Sequence, residues 1–520
     1  MRASRRSWAA LCCAAASGLA LTAGSARTET LADAIALAYQ TNPALLADRA
    51  DLRALDERFV QARAALGPTV QLSAEGDRDA SKVRQQGSNP LNPAALGTTR
   101  YYGVDSESLR IVLTQPLYTG GQAGLEIRAS EADVLSGRQI LRQNEANVLS
   151  QVITAYADVL LNRDIVTIAQ QNVDILREQD KEIEAKFAVK EVTATDRALT
   201  QARLIAAQVD LSRARANLQD AEAAYVAAVG QQPGQLEPLP DLPGLPPNVD
   251  QAFDAADKLN PSIQAAQFTE MASRLRVAEA KAADGVQVSI GGSYSREPLV
   301  PYLRDQRIIA YDATVQVSKN LYTAGAHDSR VRQALEDNNR DNLKVSDSRR
   351  QVVATLAKAW NDLVLRRSIL FKLRDQLDQE AKSYQGSKLE ARIGIRTTFD
   401  TLNAEQEYQA TKVSLFQTYH DEFLTRVAVL AAMGFLQGED IDPAIKPYRP
   451  ETSFKNVVTK ASLPWEGLVQ ALDGAAGPWP QKQASSRDIV GINRPASTDS
   501  LPDAPRWSDF SPYLAPPSFK

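Results

Sequence analysis

Two aspartates occupy matching positions in this sequence, each three residues after a threonine. Asp196 follows Thr193, Asp400 follows Thr397, and each residue of the second pair lies 204 positions after its counterpart. The pattern Thr-x-x-Asp ahead of a polar helix is typical of a capping box, in which the hydroxyl accepts from a helix-start amide and the carboxylate reaches back to the threonine amide. The pattern therefore predicts two helix caps at two equivalent turns.

The carboxylate of Asp400 also suits a second kind of chemistry. Several copies arranged around an axis would form a ring that attracts cations and repels anions. Gly394, shortly before it, suits the left-handed residue that ends a preceding helix. Capping explains Asp400 without any further function, and capping and ion selection are compatible in one carboxylate. The residues alone leave both interpretations open.

The sequence offers little for catalysis, metal binding or nucleic-acid binding. Its two histidines, His327 and His420, have no cysteine or second histidine nearby, and we expect both on helix surfaces. The sequence has no GxSxG, Walker or GxGxxG motif, so we predict no enzyme activity, no cofactor and no metal site. Lys plus Arg number 59 against 63 for Asp plus Glu, which gives no electrostatic case for a nucleic-acid partner.

Residues 1–26 have the pattern of a secretory signal peptide. Arginines precede an apolar stretch that ends in a Gly-Ser-Ala cleavage sequence. Both cysteines, Cys12 and Cys13, lie inside this segment, so the mature chain is predicted to have no disulfide or thiol chemistry. After it comes no run of 18 or more apolar residues, which argues against an ordinary transmembrane helix.

The rest of the chain contains one unit twice, predicted at 27–229 and 249–437 with a proline-rich linker at 230–248 between the copies. "NPALLADRADLRALDERF" from Asn42 is echoed by "NPSIQAAQFTEMASRLRV" from Asn260, and "PLYTGG" is echoed by "NLYTAG". The spacing between copies is 218 for the first pair and 204 for the second, so the first copy carries an insertion. Its Asn, Gly and Pro content, in "KVRQQGSNPLNPAALGTT", predicts a loop.

Each copy predicts the same order of elements. First comes one helix of about 35 residues, then a hairpin of two alternating strands, then a helix of about 65 residues, and last a returning helix. The first helices are expected at Leu31–Leu66 and Val249–Ala283, and the hairpins at about 68–118 and 285–322. A leucine every seven residues in the second long helix indicates a helix-packing seam; its members are Leu356, Leu363, Leu370 and Leu377, with Trp360 between them. The proline-rich segment 438–520 is predicted to be extended or disordered.

The four strands raise the question of a membrane. Amphipathic strands of about ten residues are long enough to cross a bilayer, but four strands cannot close a barrel and open edges are not tolerated in hydrocarbon. Three chains would supply twelve strands, and the symmetry would extend the helices into a tunnel. A soluble hairpin beside a coiled coil remains the alternative from the strands alone.

The span from about Thr30 to Met433 resembles the TolC family of outer-membrane channel proteins through this duplicated order, including "LYTGG" or "LYTAG" and "GIRTTFD". The resemblance implies a mainly α fold with a small membrane β part. It also implies a homotrimer whose 12-stranded β-barrel in the outer-membrane lipid continues into an α-helical tunnel in the periplasm of a Gram-negative cell. The implied partners are a periplasmic adaptor and an inner-membrane ABC transporter or other pump.

The same resemblance also concerns the class of exported cargo, for which more than one interpretation stays open. "TLADAIALAYQTNPAL" is similar to members that serve type I protein secretion. Multidrug or metal efflux is the alternative cargo class. A structural periplasmic coiled-coil protein is the alternative outside transport.

The resemblance also implies roles at the tunnel tip. Asp400 matches the first of two inward acids in the family, and Asn403 occupies the position of the second. Arg396 matches a basic latch residue, whose partners match Thr195 and Asp196. Two positions depart from the family pattern, since a latch tyrosine and a turn glycine are replaced by Ala391 and Lys190.

Overall fold

The computed structural model describes residues 28–85, 98–242, 244–298, 307–441, 445, 447–460, 465–474 and 506–514. The predicted signal peptide and the centre of the predicted insertion loop lie outside these residues.

The first repeat consists of four helices and a hairpin: α1 (Leu31–Thr41), α2 (Pro43–Ala64), β1 (Thr69–Gln85), β2 (Thr98–Tyr118), α3 (Gln122–Ala188) and α4 (Ala194–Val229). The second has the same order: α5 (Val249–Leu259), α6 (Pro261–Ala282), β3 (Gln287–Pro298), β4 (Arg307–Ser318), α7 (Ala326–Arg392) and α8 (Thr398–Met433). After it come α9 (Gly438–Ile441), α10 (Pro450–Lys460), α11 (Glu466–Gly474) and 3₁₀ turns at Trp507–Asp509 and Ser511–Leu514.

The prediction of one continuous helix at the start of each repeat is wrong. Both helices break at an Asn-Pro pair, where Asn42 ends α1 and caps α2 by accepting from the amides of Ala44 and Leu45 at 3.0 and 3.3 Å. Asn260 does the same for α6. The break arises because the residue before a proline avoids helical geometry, while proline is well accepted at the first helical position.

The strands form one antiparallel sheet in the order β1-β2-β3-β4. The predicted loop in the first hairpin is shorter than expected, because β1 continues through Gln85 and β2 resumes at Thr98. β1 and β2 therefore have 17 and 21 residues, against 12 for each strand of the second hairpin. The strands β1 and β4 lie at the two edges of the sheet.

The helices α3 and α7 each contain 67 residues, which at 1.5 Å per residue gives rods of about 100 Å. The predicted leucine seam is confirmed, since its four leucines and Trp360 are at most 2% exposed. The seam packs against α8 and α5, which the heptad spacing makes possible. Within the described ranges, no helix combines the length and the apolar character needed to cross a membrane.

The prediction that residues 438–520 are extended or disordered is wrong for the described parts of this segment. The helix α10 packs on α2 through Phe454, whose ring centre lies 5.0 Å from that of Phe59. Further along, Phe510 is buried against Tyr419 at a ring distance of 5.1 Å. The proline content hid short amphipathic segments whose few large apolar side chains are enough to dock them on the helical rod.

Candidate functional site at the two helix turns

The two turns that carry the aspartates lie where α3 passes into α4 and where α7 passes into α8. Their ends match across the repeats, since α3 and α7 end at Ala188 and Arg392 and the next helices begin at Ala194 and Thr398. In each repeat the two helices run back along each other from the turn. The turns therefore form one end of the molecule's two long helix pairs.

Both turns contain a capping box with nearly the same geometry. The hydroxyl of Thr193 accepts from the amide of Asp196 at 3.1 Å, and the carboxylate of Asp196 accepts from the amide and hydroxyl of Thr193 at 3.1 and 2.7 Å. For Thr397 and Asp400 the corresponding distances are 3.2, 3.2 and 2.7 Å. The hydrogen bonds from the Thr397 side chain and backbone lower the pKa of Asp400, so its carboxylate is charged at neutral pH.

The residue two positions after the end of each long helix adopts the left-handed conformation, although only one of the two is glycine. Gly394 has φ +77° and Lys190 has φ +65°. Around both, the chain closes with the same hydrogen bond at 2.9 Å, from Glu191 to the Lys186 carbonyl and from Ile395 to the Glu390 carbonyl. The lysine thus keeps the same turn as Gly394 at a steric cost of about 1 kcal/mol.

Lys190→Gly is expected to stabilise the first turn, because glycine adopts a positive φ without the Cβ clash. Amide exchange of residues 188–194, followed by mass spectrometry, should slow by about fivefold. Gly394→Lys is the matched control in the second turn and should speed exchange at 392–398. Faster exchange in the Lys190→Gly protein would contradict this account of the turn.

The predicted latch residues are not joined to each other within the chain. The guanidinium of Arg396 pairs with Glu390 of its own turn, with Nε 2.7 Å from Oε2. Asp196 is engaged by Thr193, and Thr195 is exposed. Contact between Arg396 and Asp196 consequently remains a prediction.

Asn403 faces α4. Its side-chain oxygen accepts a hydrogen bond of 3.1 Å from Arg203, which also donates to Gln406. Arg203 therefore links α4 to α8 just beyond the capped turn. A groove of about 530 Å³ continues from this link along α3, α4 and α8 and also contains Asp210 and Arg213.

Glu405 is a buried acid that the sequence analysis did not identify. It is 2% exposed, its Oε2 accepts from Gln179 of α3 at 2.8 Å, and burial raises its pKa to about 7. The signal for its burial was its spacing, because Leu402 and Tyr408, three residues to either side, are also buried. Glu405 on α8 is therefore buried against α3, to which Gln179 binds it.

The expectation that both histidines lie on helix surfaces is wrong for His420, which is 8% exposed. Its Nε2 is 2.8 Å from Asp158 of α3 and its Nδ1 is 3.2 Å from Asp421. Burial lowers its pKa, but the bonds to the two carboxylates outweigh burial and the net shift is upward. The fold therefore favours protonated His420, and this stabilisation is lost as the pH rises through the raised pKa. The described residues contain no group of three or more His, Cys, Asp or Glu side chains placed to hold a metal ion.

Comparison with known proteins identifies the family. Residues 34–231 and 253–434 match the family model described as outer membrane efflux protein. The chain belongs to this family. The resemblance to TolC-family channels is thereby confirmed, and with it a non-enzymatic channel in the outer membrane.

Individual relatives cover most of the chain. The outer membrane efflux protein BepC of Brucella suis is 29% identical over 455 residues, covering 87% of this chain and 94% of BepC. The alkaline protease secretion protein AprF of Pseudomonas aeruginosa is 24% identical over 424 residues, covering 79% and 86% of the two chains. The outer membrane channel CmeC of Campylobacter jejuni is similar in fold, with a TM-score of 0.67 at 14% identity over 83% of this chain and 90% of CmeC.

Proposed function

We propose that this protein is the outer-membrane channel of a tripartite export system and that its cargo is a protein secreted by the type I route. One observation carries the proposal: each repeat places a membrane-length hairpin at one end of a rod of about 100 Å and a capped, charged turn at the other. Such a chain spans the distance between a bilayer and a periplasmic partner. The similarity to AprF supports protein secretion.

Efflux of a small molecule is the second candidate, and the similarity to BepC supports it. Deleting the gene separates the two candidates. Loss of a protein from the culture medium with unchanged drug and metal tolerance supports secretion. Increased sensitivity to drugs or metals with an unchanged set of secreted proteins would contradict secretion and support efflux.

We propose that three chains close the sheet through its two edges. The edge strands β1 and β4 carry exposed apolar residues, among them Leu72 at 64%, Val315 at 69% and Val317 at 66% exposure. These side chains suit lipid, and the free strand edges require a partner in hydrocarbon. Joining β4 of one chain to β1 of the next satisfies both edges in a closed ring of three.

The duplication supplies a register for this junction. Within the chain, Leu113 of β2 lies opposite Gly292 of β3. By the spacing between repeats, Val317 corresponds to Leu113 and Ala74 corresponds to Gly292. We therefore place Val317 opposite the partner subunit's Ala74.

In this trimer the three copies of Asp400 would surround the axis at the tip and select cations, while capping their own helices. Arg396 would leave Glu390 for Asp196 of a neighbouring chain when the tip is closed. A solvent-exposed ion pair contributes only about 0 to 1 kcal/mol, so a few such contacts hold the tip but yield to a docking partner. Asn403 adds no charge to this ring because it is neutral and bound to Arg203.

Asp400→Asn is expected to lower cation selectivity and leave the trimer intact, because asparagine keeps a cap acceptor while the ring loses its charges. Reversal potentials in planar bilayers under a salt gradient measure the effect. Asp33→Asn is the matched control, since Asp33 forms the same capping box with Thr30 at the start of α1. Selectivity equal to that of the wild type in the Asp400→Asn channel would leave Asp400 with the capping role alone.

We also propose that the periplasmic adaptor docks on the tip and on the groove beside it. Apolar side chains are exposed at both turns: Val189 at 66%, Ile393 at 71%, Ile395 at 72% and Phe399 at 50%. A cluster of exposed apolar residues marks an interaction surface. The adjoining groove of α3, α4 and α8 offers Arg203, Asp210 and Arg213 for polar contacts with the same partner.

A further inference from the structure

The C-terminal helix α11 brings a carboxylate to the junction between β2 and α3. Asp473 is 1% exposed, and its Oδ1 accepts from the amide and hydroxyl of Thr119 at 2.6 and 2.8 Å and from the amide of Gly121 at 3.3 Å. Its Oδ2 accepts from the amide of Gly124 at 3.2 Å. The N-cap residue Gly121 has no side chain to do this, so α3 is capped by a residue about 350 positions away.

The C-terminal segment 438–520, here called the tail, carries Asp473 and packs on the first repeat through apolar side chains. Val469 of α11 is 5% exposed in a cluster with Leu66 and Ala123. Upstream, Phe454 of α10 packs on Phe59, and the guanidinium of Arg138 lies 5.3 Å from the Phe454 ring centre. The helix α10 thus docks on α2, and α11 docks on β2 and α3 at the junction.

The second repeat lacks the apolar residues that contact the tail in the first repeat. At the positions that correspond to Leu66 and Ala123 it has Asp284 and His327, so the apolar contact for Val469 is absent. In place of Gly124 it has Asp328, which supplies a negative charge in the first turn of α7. A Cβ at Gly124 would lie only 3.5 Å from the Asp473 carboxylate, and an aspartate there would repel it. The sequence therefore restricts the tail to the first junction.

We propose that α10 and α11 form a clasp that fixes the strand-to-helix junction of the first repeat, with Asp473 as the positioning residue that caps α3. The two junctions of one chain then differ: the first depends on the tail, whereas the second carries its own acidic residue. A trimer would contain three clasped junctions and three that are not. The proposal concerns the junction alone and holds for either class of cargo.

Hydrogen exchange of the full-length trimer in detergent tests the clasp. In the Asp473→Ala protein, the amides of residues 119–124 should exchange on the order of tenfold faster, as expected for loss of a helix cap. Residues 323–328 of the second junction serve as the internal control and should be unchanged. Unchanged exchange at the first junction, or an equal rise at both, overturns the proposal.

Gly124→Asp provides a second variant in which the tail itself is intact. The new carboxylate should repel Asp473 and place a negative charge in the first turn of α3, as Asp328 does in α7, so exchange should rise in residues 466–474 while residues 119–124 stay protected. Gly124→Ala adds a Cβ without charge and should leave α11 docked. If α11 exchanges as slowly in the Gly124→Asp protein as in the wild type, the tail does not depend on this junction and the proposal fails.

Discussion

Ile395→Asp is expected to prevent adaptor docking while leaving the trimer assembled. Ile395 is 72% exposed in the second turn, and a trimer would present three copies. Burying an isoleucine contributes about 1.5 to 3 kcal/mol, and an aspartate at the same place must lose its hydration instead. Three such sites together should lower the affinity by well over tenfold. The measurement is co-purification of the cognate adaptor with the trimer after crosslinking in cells.

Ile395→Val is the matched control, because it keeps an apolar branched side chain and removes only one methylene. Adaptor recovery with this variant should stay near that of the wild type. If the Ile395→Asp trimer recovers as much adaptor as the wild type, the exposed apolar side chains at the tip are not the docking surface. The groove beside Arg203 would then be the part of the proposed surface to test next.

Glu422→Ala is expected to destabilise the chain by about 3 to 5 kcal/mol, the largest stability effect anticipated for a single substitution. Glu422 is fully buried on α8, where Oε1 accepts from Arg367 Nε at 2.8 Å and Oε2 lies 3.0 Å from Arg426 Nε. Both arginines are 5% or less exposed. Removing the carboxylate takes away the acid that both buried guanidinium groups contact. Urea unfolding in detergent, followed by circular dichroism, should show the loss.

Two variants test whether the loss comes from buried charge. Glu178→Ala removes an acid from an exposed pair with Lys181 and should change stability by no more than about 1 kcal/mol. Replacing Arg367, Glu422 and Arg426 together by Met, Leu and Met should recover most of the stability, because a well-packed apolar group replaces the ionic one. A triple variant as unstable as Glu422→Ala would show that packing, rather than unbalanced charge, is responsible.

The local signals in the sequence predicted the long helices α3 and α7 well, and they predicted the capping boxes of the returning helices α4 and α8 in detail. The second long helix, Ala326–Arg392, has 67 residues where the sequence predicted about 65, because nothing interrupts its periodicity between two strong turn signals. The capping geometry of Asp196 and Asp400 followed from a spacing of three residues. Such features depend on neighbours in sequence and need no knowledge of tertiary packing.

The features that were missed depend on contacts between distant segments. Burial of His420 requires Asp158 from another helix, and burial of Glu405 requires Gln179. The helices of the tail are short, and their stability comes from docking on α2 and α3, which no local pattern shows. Lys190 keeps a left-handed turn because the two flanking helices fix the chain at both ends.

The central claim is that three chains share one closed sheet, and a site-specific disulfide between subunits tests it most directly. The natural cysteines, Cys12 and Cys13, lie in the predicted signal peptide, so new cysteines would be the only thiols of the mature chain. Ala74→Cys combined with Val317→Cys should give a covalent trimer from outer membranes on a denaturing, non-reducing gel. Ala74→Cys with Ala313→Cys, displaced by four residues or about 13 Å along β4, should not. A protein that stays monomeric in both cases would contradict the shared sheet.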